Sequence, residues 1–458
     1  MQGAPTVRHR LSLNTPTSSL NTTQKKRARK AALSSFIGAV VDWYDFLLYG
    51  IVAALVFKQQ FFPNIDPTMG TLAAFATFGV GFLFRPLGGI VFGHFGDKLG
   101  RKKMLFLTVF LMGGATVLIG FLPTYSQIGW WAPVLLVTLR AIQGFAVGGE
   151  WGGAALTAVE NAPQTQKAFY SSGVQIGYGV GLMLASGCVS LIILCIGEDG
   201  FRDWGWRIPF LASIILVAFA VWIRSDQDES LEFKQHQKQA HQVQEKKSRF
   251  PIIQAIQHNP KGFFYIIALR LAELLSMYLV TTFALNYSTE KLHMPSQLFL
   301  NISLMVGAIS CFSIPFFAMI ADRFGRRRMC IMGGLIGAVA AFPFFLALQS
   351  GSIGWLIVLS ILLANLAHDM VVSVHQPIFT ELFGTEYRYS GAGVGYQLAS
   401  IVGGGFTPFI ATGLIFLAHG HWILVAIYLT AGCLLTAIVA ARMKGQVSSK
   451  IIHPPRVD

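Results

Sequence analysis

The chain has 458 residues, of which 53% are hydrophobic and only 12% charged, and its mean hydropathy is +0.57. Composition of this kind excludes a soluble enzyme or a soluble binding module and points to a membrane protein. The net charge of +14 would suit a nucleic-acid binder, but the placement of the basic residues, given below, argues for no nucleic-acid partner.

Residues 1–30, rich in Ser, Thr and Asn and ending in "KKRARK", read as a disordered basic cytoplasmic tail. They are no signal peptide, because the apolar run that follows is too long and holds two aspartates. A helix needs about 20 residues to cross a hydrocarbon core of ~30 Å. Twelve apolar runs meet this need, at 31–57, 69–95, 103–123, 130–159, 168–197, 206–224, 262–287, 297–321, 328–349, 353–382, 390–418 and 421–442. Backbone in lipid must hydrogen-bond within its own segment, so the expected fold class is an all-α membrane protein of twelve transmembrane helices in two pseudo-symmetric six-helix bundles. The one long charged interruption divides the runs six and six. It gives an N-terminal bundle over 31–224, a cytoplasmic linker over 225–260, a C-terminal bundle over 261–443 and a cytoplasmic tail over 444–458.

If the spans alternate from an inside N-terminus, only Lys58, Arg202, Arg207 and Lys291 fall outside, and Arg85, Arg140 and Arg270 fall within spans. Every other Lys and Arg is inside, which places both termini in the cytoplasm. The basic excess thus reflects topology. The five cysteines (188, 195, 311, 330 and 433) show neither a disulfide framework nor metal spacing.

The halves resemble each other. "GHFGDKLGRKK" after the second span matches "AMIADRFGRRR" after the eighth, with Asp97 to Asp322 and Arg101 to Arg326 both 225 residues apart. Weaker echoes pair Tyr170 and Ser171 with Tyr389 and Ser390, and Glu160 with Glu381. Duplication with a site at the interface of the repeats is a common plan of secondary transporters.

Eight ionisable residues lie inside spans: Asp42, Asp45, Arg85, Arg140, Glu150, Arg270, Glu273 and Asp369. Facing lipid they would cost on the order of 20 kcal/mol together, so they face a cavity or one another. At 100° per residue, Asp42, Asp45 and Tyr49 share a face of the first span. Arg140, Gln143 and Gly144 share one on the fourth, with Glu150 beyond, and Arg270 and Glu273 stack on the seventh. Asn365, His368, Asp369, His375 and Gln376 fall within an arc of about 120° on the tenth. These stripes imply a shared aqueous centre. Asp45 lies ~21 Å from the start of its span and Arg140 ~15 Å from the start of its own, depths at which the two can pair. Asp45 is the preferred proton carrier, with Asp42, Glu150, Glu273 and Asp369 as alternatives. Arg270 and Glu273 also fit a purely structural intrahelical ion pair, and His368 and His375 fit hydrogen-bonded liners better than metal ligands. The glycines of "QGFAVGGEWGGAA" fit close helix packing rather than a phosphate cradle, since no Lys-Ser/Thr follows them.

The form G-x-x-x-D-[RK]-x-G-R-[RK], running from Gly93 to Lys102, resembles the signature loop of the major facilitator superfamily. In the second copy Ala318 replaces the glycine. "DWYDFLLYG", "FRPLGGIVFGHFGD" and "RAIQGFAVGGEWGGA" are similar to the metabolite:proton symporter branch. Within it, "ANLAHDMVVSVHQPIF" and "YRYSGAGVGYQLASIVGGGFTPF" resemble the carriers of shikimate. Tyr44-Asp45 and Arg140 also match a proton-coupling pair of the sugar-porter branch. The resemblance implies alternating access, a proton gradient as the driving force and no cofactor. It also implies a gate at the inner ends of the spans, built from Gly93, Asp97, Arg101 and Glu160 and from Asp322, Arg326 and Glu381.

The expected function is a proton-coupled importer of a small hydroxylated carboxylate, shikimate first, in a bacterial inner membrane and as a monomer in the lipid bilayer. Arg85 is the expected carboxylate partner, because a guanidinium binds carboxylate through two donors and stays charged when buried. Arg140 and Arg270 stand as alternatives. Gln143, Gln175, Tyr178, Asn365, Gln376, Tyr396 and Gln397 are expected to meet hydroxyls, with Glu273, His368 and Asp369 nearby. The rivals are a symporter of another organic acid such as a 2-oxo-dicarboxylate or a quinate-like compound, a proton-driven exporter and, least of all, a membrane-embedded enzyme or sensor. No metal site is expected.

Overall fold

The structure is a computed structural model that describes residues 22–99, 101–149, 166–225, 256–257, 259–383 and 388–443. Ten helices are long and apolar enough to span a membrane, and two shorter apolar helices stand where the third and sixth spans are expected. In chain order they are α1 (Phe36–Phe61), α2 (Pro67–Phe92), α3 (Phe106–Gly120), α4 (Trp131–Gly148), α5 (Lys167–Gly205), α6 (Arg207–Trp222), α7 (Pro260–Glu290), α8 (Ser296–Phe324), α9 (Arg326–Ser350), α10 (Ile353–Leu382), α11 (Gly391–Leu417) and α12 (Ile423–Arg442). The described residues contain no strand.

Local chemistry sets the helix ends. Asp66 caps α2 by accepting from Thr68 N at 2.8 Å, and Pro67 occupies the first helical position, where its missing N–H costs nothing. Asn259 caps α7 in the same way, ahead of Pro260. Gly325, at φ 103°, turns the chain between α8 and α9, a conformation other residues adopt only with strain.

The duplication extends to the backbone. A π-helical turn spans Ala53–Phe57 in α1 and another spans Leu279–Phe283 in α7, 226 residues on. The offset is within one residue of that between the two signature copies.

Backbone contact positions α2 against α4. A Cβ on Gly144 would lie 1.8 Å from Gly81 O, and one on Gly148 would lie 1.9 Å from Arg85 O, so only glycine lets the helices approach this closely. The span-four glycines therefore serve packing, as their spacing implies. The contact also fixes the mutual distance of Arg85 on α2 and Arg140 on α4. Between the halves, α5 crosses α8 where a Cβ on Gly179 would meet Gly307 O at 2.6 Å.

Candidate functional site

A cavity lies between the two halves, lined from α1, α2, α4 and α5 on one side and α7 and α11 on the other. Its wall is aromatic at Trp43, Phe46, Phe82, Tyr278 and Tyr396, and polar at Asp42, Arg85, Gln175, Arg270, Gln397 and Ser400. Pro86 breaks α2 at Phe84, and Arg85 opens the helix that follows. The Arg85 guanidinium is sandwiched between two rings, its carbon 3.8 Å from the Phe46 centroid and 3.9 Å from that of Phe82. It is 93% buried, and no described acid is within ion-pair distance of it. The neighbouring amides are also short of partners. Gln175 Nε2 and Gln397 Oε1 are buried with no hydrogen-bond partner among the described residues, which equips the wall to meet a ligand's hydroxyls.

Arg270 is the second guanidinium on the wall, and it is already engaged. It donates to Glu273 at 2.8 Å, to Tyr396 O at 2.9 Å and to Ser400 Oγ at 2.6 Å, with its carbon 3.5 Å from the Tyr396 ring centroid. Glu273 lies behind the wall and also pairs with His375 of α10.

Asp45 is not on the wall. It lies in a closed network inside the first half, accepting from Thr116 Oγ1 at 2.5 Å and Gln143 Nε2 at 2.9 Å, with Arg140 Nη1 at 3.7 Å. Arg140 is wholly buried, 4.1 Å from the Tyr49 ring centroid and 4.6 Å from that of Phe46. Phe46 thus touches both Arg85 and Arg140. Thr116 was illegible in the sequence, because a single threonine in an apolar run of α3 carries no signal.

The shared aqueous centre needs correction. Of the stripe on α1, Asp42 lines the cavity, Asp45 turns into its own bundle, and Tyr49 donates to Thr77 at 2.7 Å. Gln143, Tyr178, Glu273, Asn365, His368, Asp369 and Gln376 also lie off the cavity wall. On α10, Asp369 is bound by Ser310 and Ser313 of α8 and by Asn365 and His368. Asp45 and Asp369 are satisfied by buried partners of their own and need no water, so a polar stripe does not by itself mark the cavity.

Both ends of the cavity carry bonds between the halves. At the signature end, Asp322 accepts from Ala168 N at 3.2 Å and Phe169 N at 3.0 Å, capping the start of α5 in the opposite half. Arg326 holds both Asp322 and Glu381, and Glu381 reaches Lys167 at 3.6 Å. Arg326 and Glu381 of the second copy pair within their own half, and Asp322 and Glu381 carry the contact across the interface to α5. Glu150 and Glu160 lie outside the described residues, as do the side chains of Asp97 and Arg101 and the surroundings of Gly93. At the opposite end, Lys58 meets Glu290 at 2.5 Å, Asn286 donates to Ala54 O at 2.8 Å, and Glu198 accepts from Ser296 N at 3.0 Å. Among the described residues, no group of three or more His, Cys, Asp and Glu could hold a metal ion.

Residues 32–408 match the Major Facilitator Superfamily. The chain is 66% identical over 418 residues to the shikimate transporter of Escherichia coli K12, covering 91% of this chain and 95% of the relative. It is 34% identical over 403 residues to the proline/betaine transporter of Salmonella typhimurium LT2, covering 85% and 78%. Among solved structures, a crystal structure of a D-xylose-proton symporter superposes with a TM-score of 0.71 at 18% identity, over 92% of this chain and 98% of that one. Sequence match, internal repeat and fold agree, and the chain belongs to the Major Facilitator Superfamily of multi-pass membrane transporters.

Proposed function

We propose that this chain imports shikimate, a small hydroxylated monocarboxylate, together with a proton, by alternating access of the halves 31–224 and 261–443. One observation carries the reading. The wall of the cavity between the halves presents a buried guanidinium with no described acid partner, beside Gln175 Nε2 and Gln397 Oε1, which have no hydrogen-bond partner among the described residues. A planar carboxylate takes two donors from Arg85, and the ring hydroxyls meet the amides and Tyr396. The aromatic wall receives the ring face. A dicarboxylate would need a second cation, and Arg270 is already held by Glu273, which favours a monoacid. The high identity to a relative named as a shikimate transporter supports the same substrate.

Coupling follows from charge. With Asp45 ionised, Arg140 is compensated; with Asp45 protonated, an additional positive charge stands one aromatic ring away from Arg85. Proton and carboxylate therefore strengthen each other's binding, as linkage requires of any two ligands coupled in one direction. Asp42, on the wall one turn earlier, shapes the entry of the anion. The contacts of Asp322, Arg326 and Glu381 with α5 hold the cytoplasmic side shut, and the Lys58–Glu290 and Glu198–Ser296 contacts hold the outer side. The protein works as a monomer in a bacterial inner membrane with both termini inside, driven by the proton gradient without a cofactor.

Uptake into proteoliposomes under an inward proton gradient, with shikimate, a quinate-like acid and a 2-oxo-dicarboxylate compared, tests this reading. Shikimate is expected to accumulate chemically unchanged and to outcompete the others. Chemical conversion of the substrate, or extrusion under the same gradient, would overturn the reading.

A further inference from the structure

The coupling scheme uses one carboxylate of the first half and leaves a titratable pair in the second half idle. His368 and Asp369 follow directly on a π-helical stretch of α10, Leu362–Ala367. Such irregular turns inside α-helices concentrate at functional sites. Both residues are at least 99% buried, and His368 Nδ1 lies 2.6 Å from Asp369 Oδ1. The carboxylate is further held by Ser310 at 2.9 Å, by Ser313, and by Asn365 at 3.3 Å. No Lys or Arg among the described residues is within ion-pair distance of it. Without an added proton the pair carries one negative charge, and with one it is neutral overall, the form suited to an enclosed site.

The cover over this pair belongs to the other half. The Tyr178 ring of α5 lies 4.6 Å from the His368 ring and 5.2 Å from that of Trp43, which stands on the cavity wall. Tyr178 Oη has no hydrogen-bond partner among the described residues. Its neighbour Gly179 is the point where α5 crosses α8 at Gly307. Tyr178 moves with the first half and the dyad with the second, so rocking about that crossing shifts the cover relative to the dyad.

Two titratable groups face the pair, Tyr178 from α5 and Cys311 from α8. α7 presents Arg270 and Glu273 two turns further along α10, at His375. α9 packs here through Gly333 and Gly337 against Ala367, and α11 meets the far end of α10 through Gly391 against Phe383, so neither of these contacts brings a charge.

We propose that the His368–Asp369 pair is a second proton-binding site, loaded and emptied once per cycle as Tyr178 covers and uncovers it, so that two protons cross with each substrate anion. The proton joins and leaves imidazole Nε2, because Nδ1 faces the carboxylate; only that N–H bond forms and breaks. The proposal rests on the proton-symport reading and adds a consequence to it. With Asp45 alone, one proton accompanies a monoanion and the cycle is electroneutral; with the dyad, each cycle moves one positive charge inward.

The test is the reversal potential of shikimate flux in proteoliposomes holding the full chain, with the membrane potential set by potassium and valinomycin. The expected ratio is two protons per shikimate, with uptake accelerated by an inside-negative potential at zero pH gradient. His368→Gln and Asp369→Asn are each expected to lower the ratio to one and to abolish the response to potential while pH-driven uptake continues. Substrate counterflow certifies that a variant is folded. A ratio of one in the unaltered protein overturns the second site and leaves the symport reading standing, whereas a ratio of zero overturns the symport reading itself. A ratio of two that persists in a folded dyad variant also overturns the assignment.

Discussion

Replacing Arg85 by lysine keeps the charge and removes the planar fork. The guanidinium fills a slot between two rings at 3.8 and 3.9 Å, a space shaped for a flat cation with its edge toward the cavity. An ammonium does not fill that slot and offers a carboxylate one point contact instead of two parallel bonds. The loss of one charged hydrogen bond is worth about 1.5–3 kcal/mol. At ~1.4 kcal/mol per factor of ten, this predicts a rise in Kd of about 10-fold to 150-fold. Lost ring contact adds about 0.5–2 kcal/mol, part of it felt by the free protein rather than by the complex. The measurement is equilibrium binding of labelled shikimate to purified protein, with the elution profile as a control for folding. Arg270→Lys serves as the contrast, because Arg270 binds Glu273, Tyr396 O and Ser400 and its alteration is expected to lower thermal stability first. Unchanged affinity in Arg85→Lys, with affinity lost in a folded Arg270→Lys, would refute the assignment of the carboxylate site.

Three further outcomes are expected. Asp45→Asn, which imitates the protonated acid, retains counterflow exchange and lowers the proton-to-shikimate ratio from two to the one carried by the His368–Asp369 pair, whereas Asp42→Asn slows transport without changing the ratio; an unchanged ratio in Asp45→Asn would pass the role to Asp42. Asp322→Ala removes the cap on Ala168 N and Phe169 N, and the loss of about 0.5–2 kcal/mol shifts the population toward inward-open forms, read as faster labelling of a cysteine placed in the cavity from the cytoplasmic side. Equal labelling rates would make Asp322 an assembly element instead of a gate. Gly144→Ala drives a Cβ to 1.8 Å from Gly81 O, and because backbone does not yield as a side chain does, overpacking of about 1–3 kcal/mol or more is expected as a fall in the unfolding temperature. An unaltered unfolding temperature would show that α2 and α4 have room to separate.

The spans were legible because composition and length are local properties of the chain, and the duplication was legible because Asp97 and Asp322 sit in copies of one short motif. The π-helical turns in α1 and α7 were invisible to hydropathy, which depends on residue type and not on one inserted backbone position. Thr116 and Ser400 escaped notice for a related reason, since small hydroxyl residues are common in apolar helices and only a partner brought by another helix gives them meaning.

The sequence by itself determined that the chain crosses the membrane in two repeated halves, that a few ionisable residues lie within the spans, and that Arg85, Arg140 and Arg270 are fixed positive charges there. Insertion energetics act on each residue regardless of its neighbours, and a periodic pattern identifies a helix without its partners. Only the tertiary structure decided which polar residues meet the cavity. Asp42 and Asp45 differ by three residues, about 60° around a helix axis, and that rotation puts one on the wall and the other against Thr116 and Gln143. It likewise left Arg85 without a described acid partner while pairing Arg270 with Glu273, and sent Asp322 across to α5 of the opposite half. These outcomes depend on how whole helices turn and approach one another, set by contacts such as Gly144 on Gly81 and Gly179 on Gly307, and helix rotation is a property of the packed pair that neither segment encodes alone.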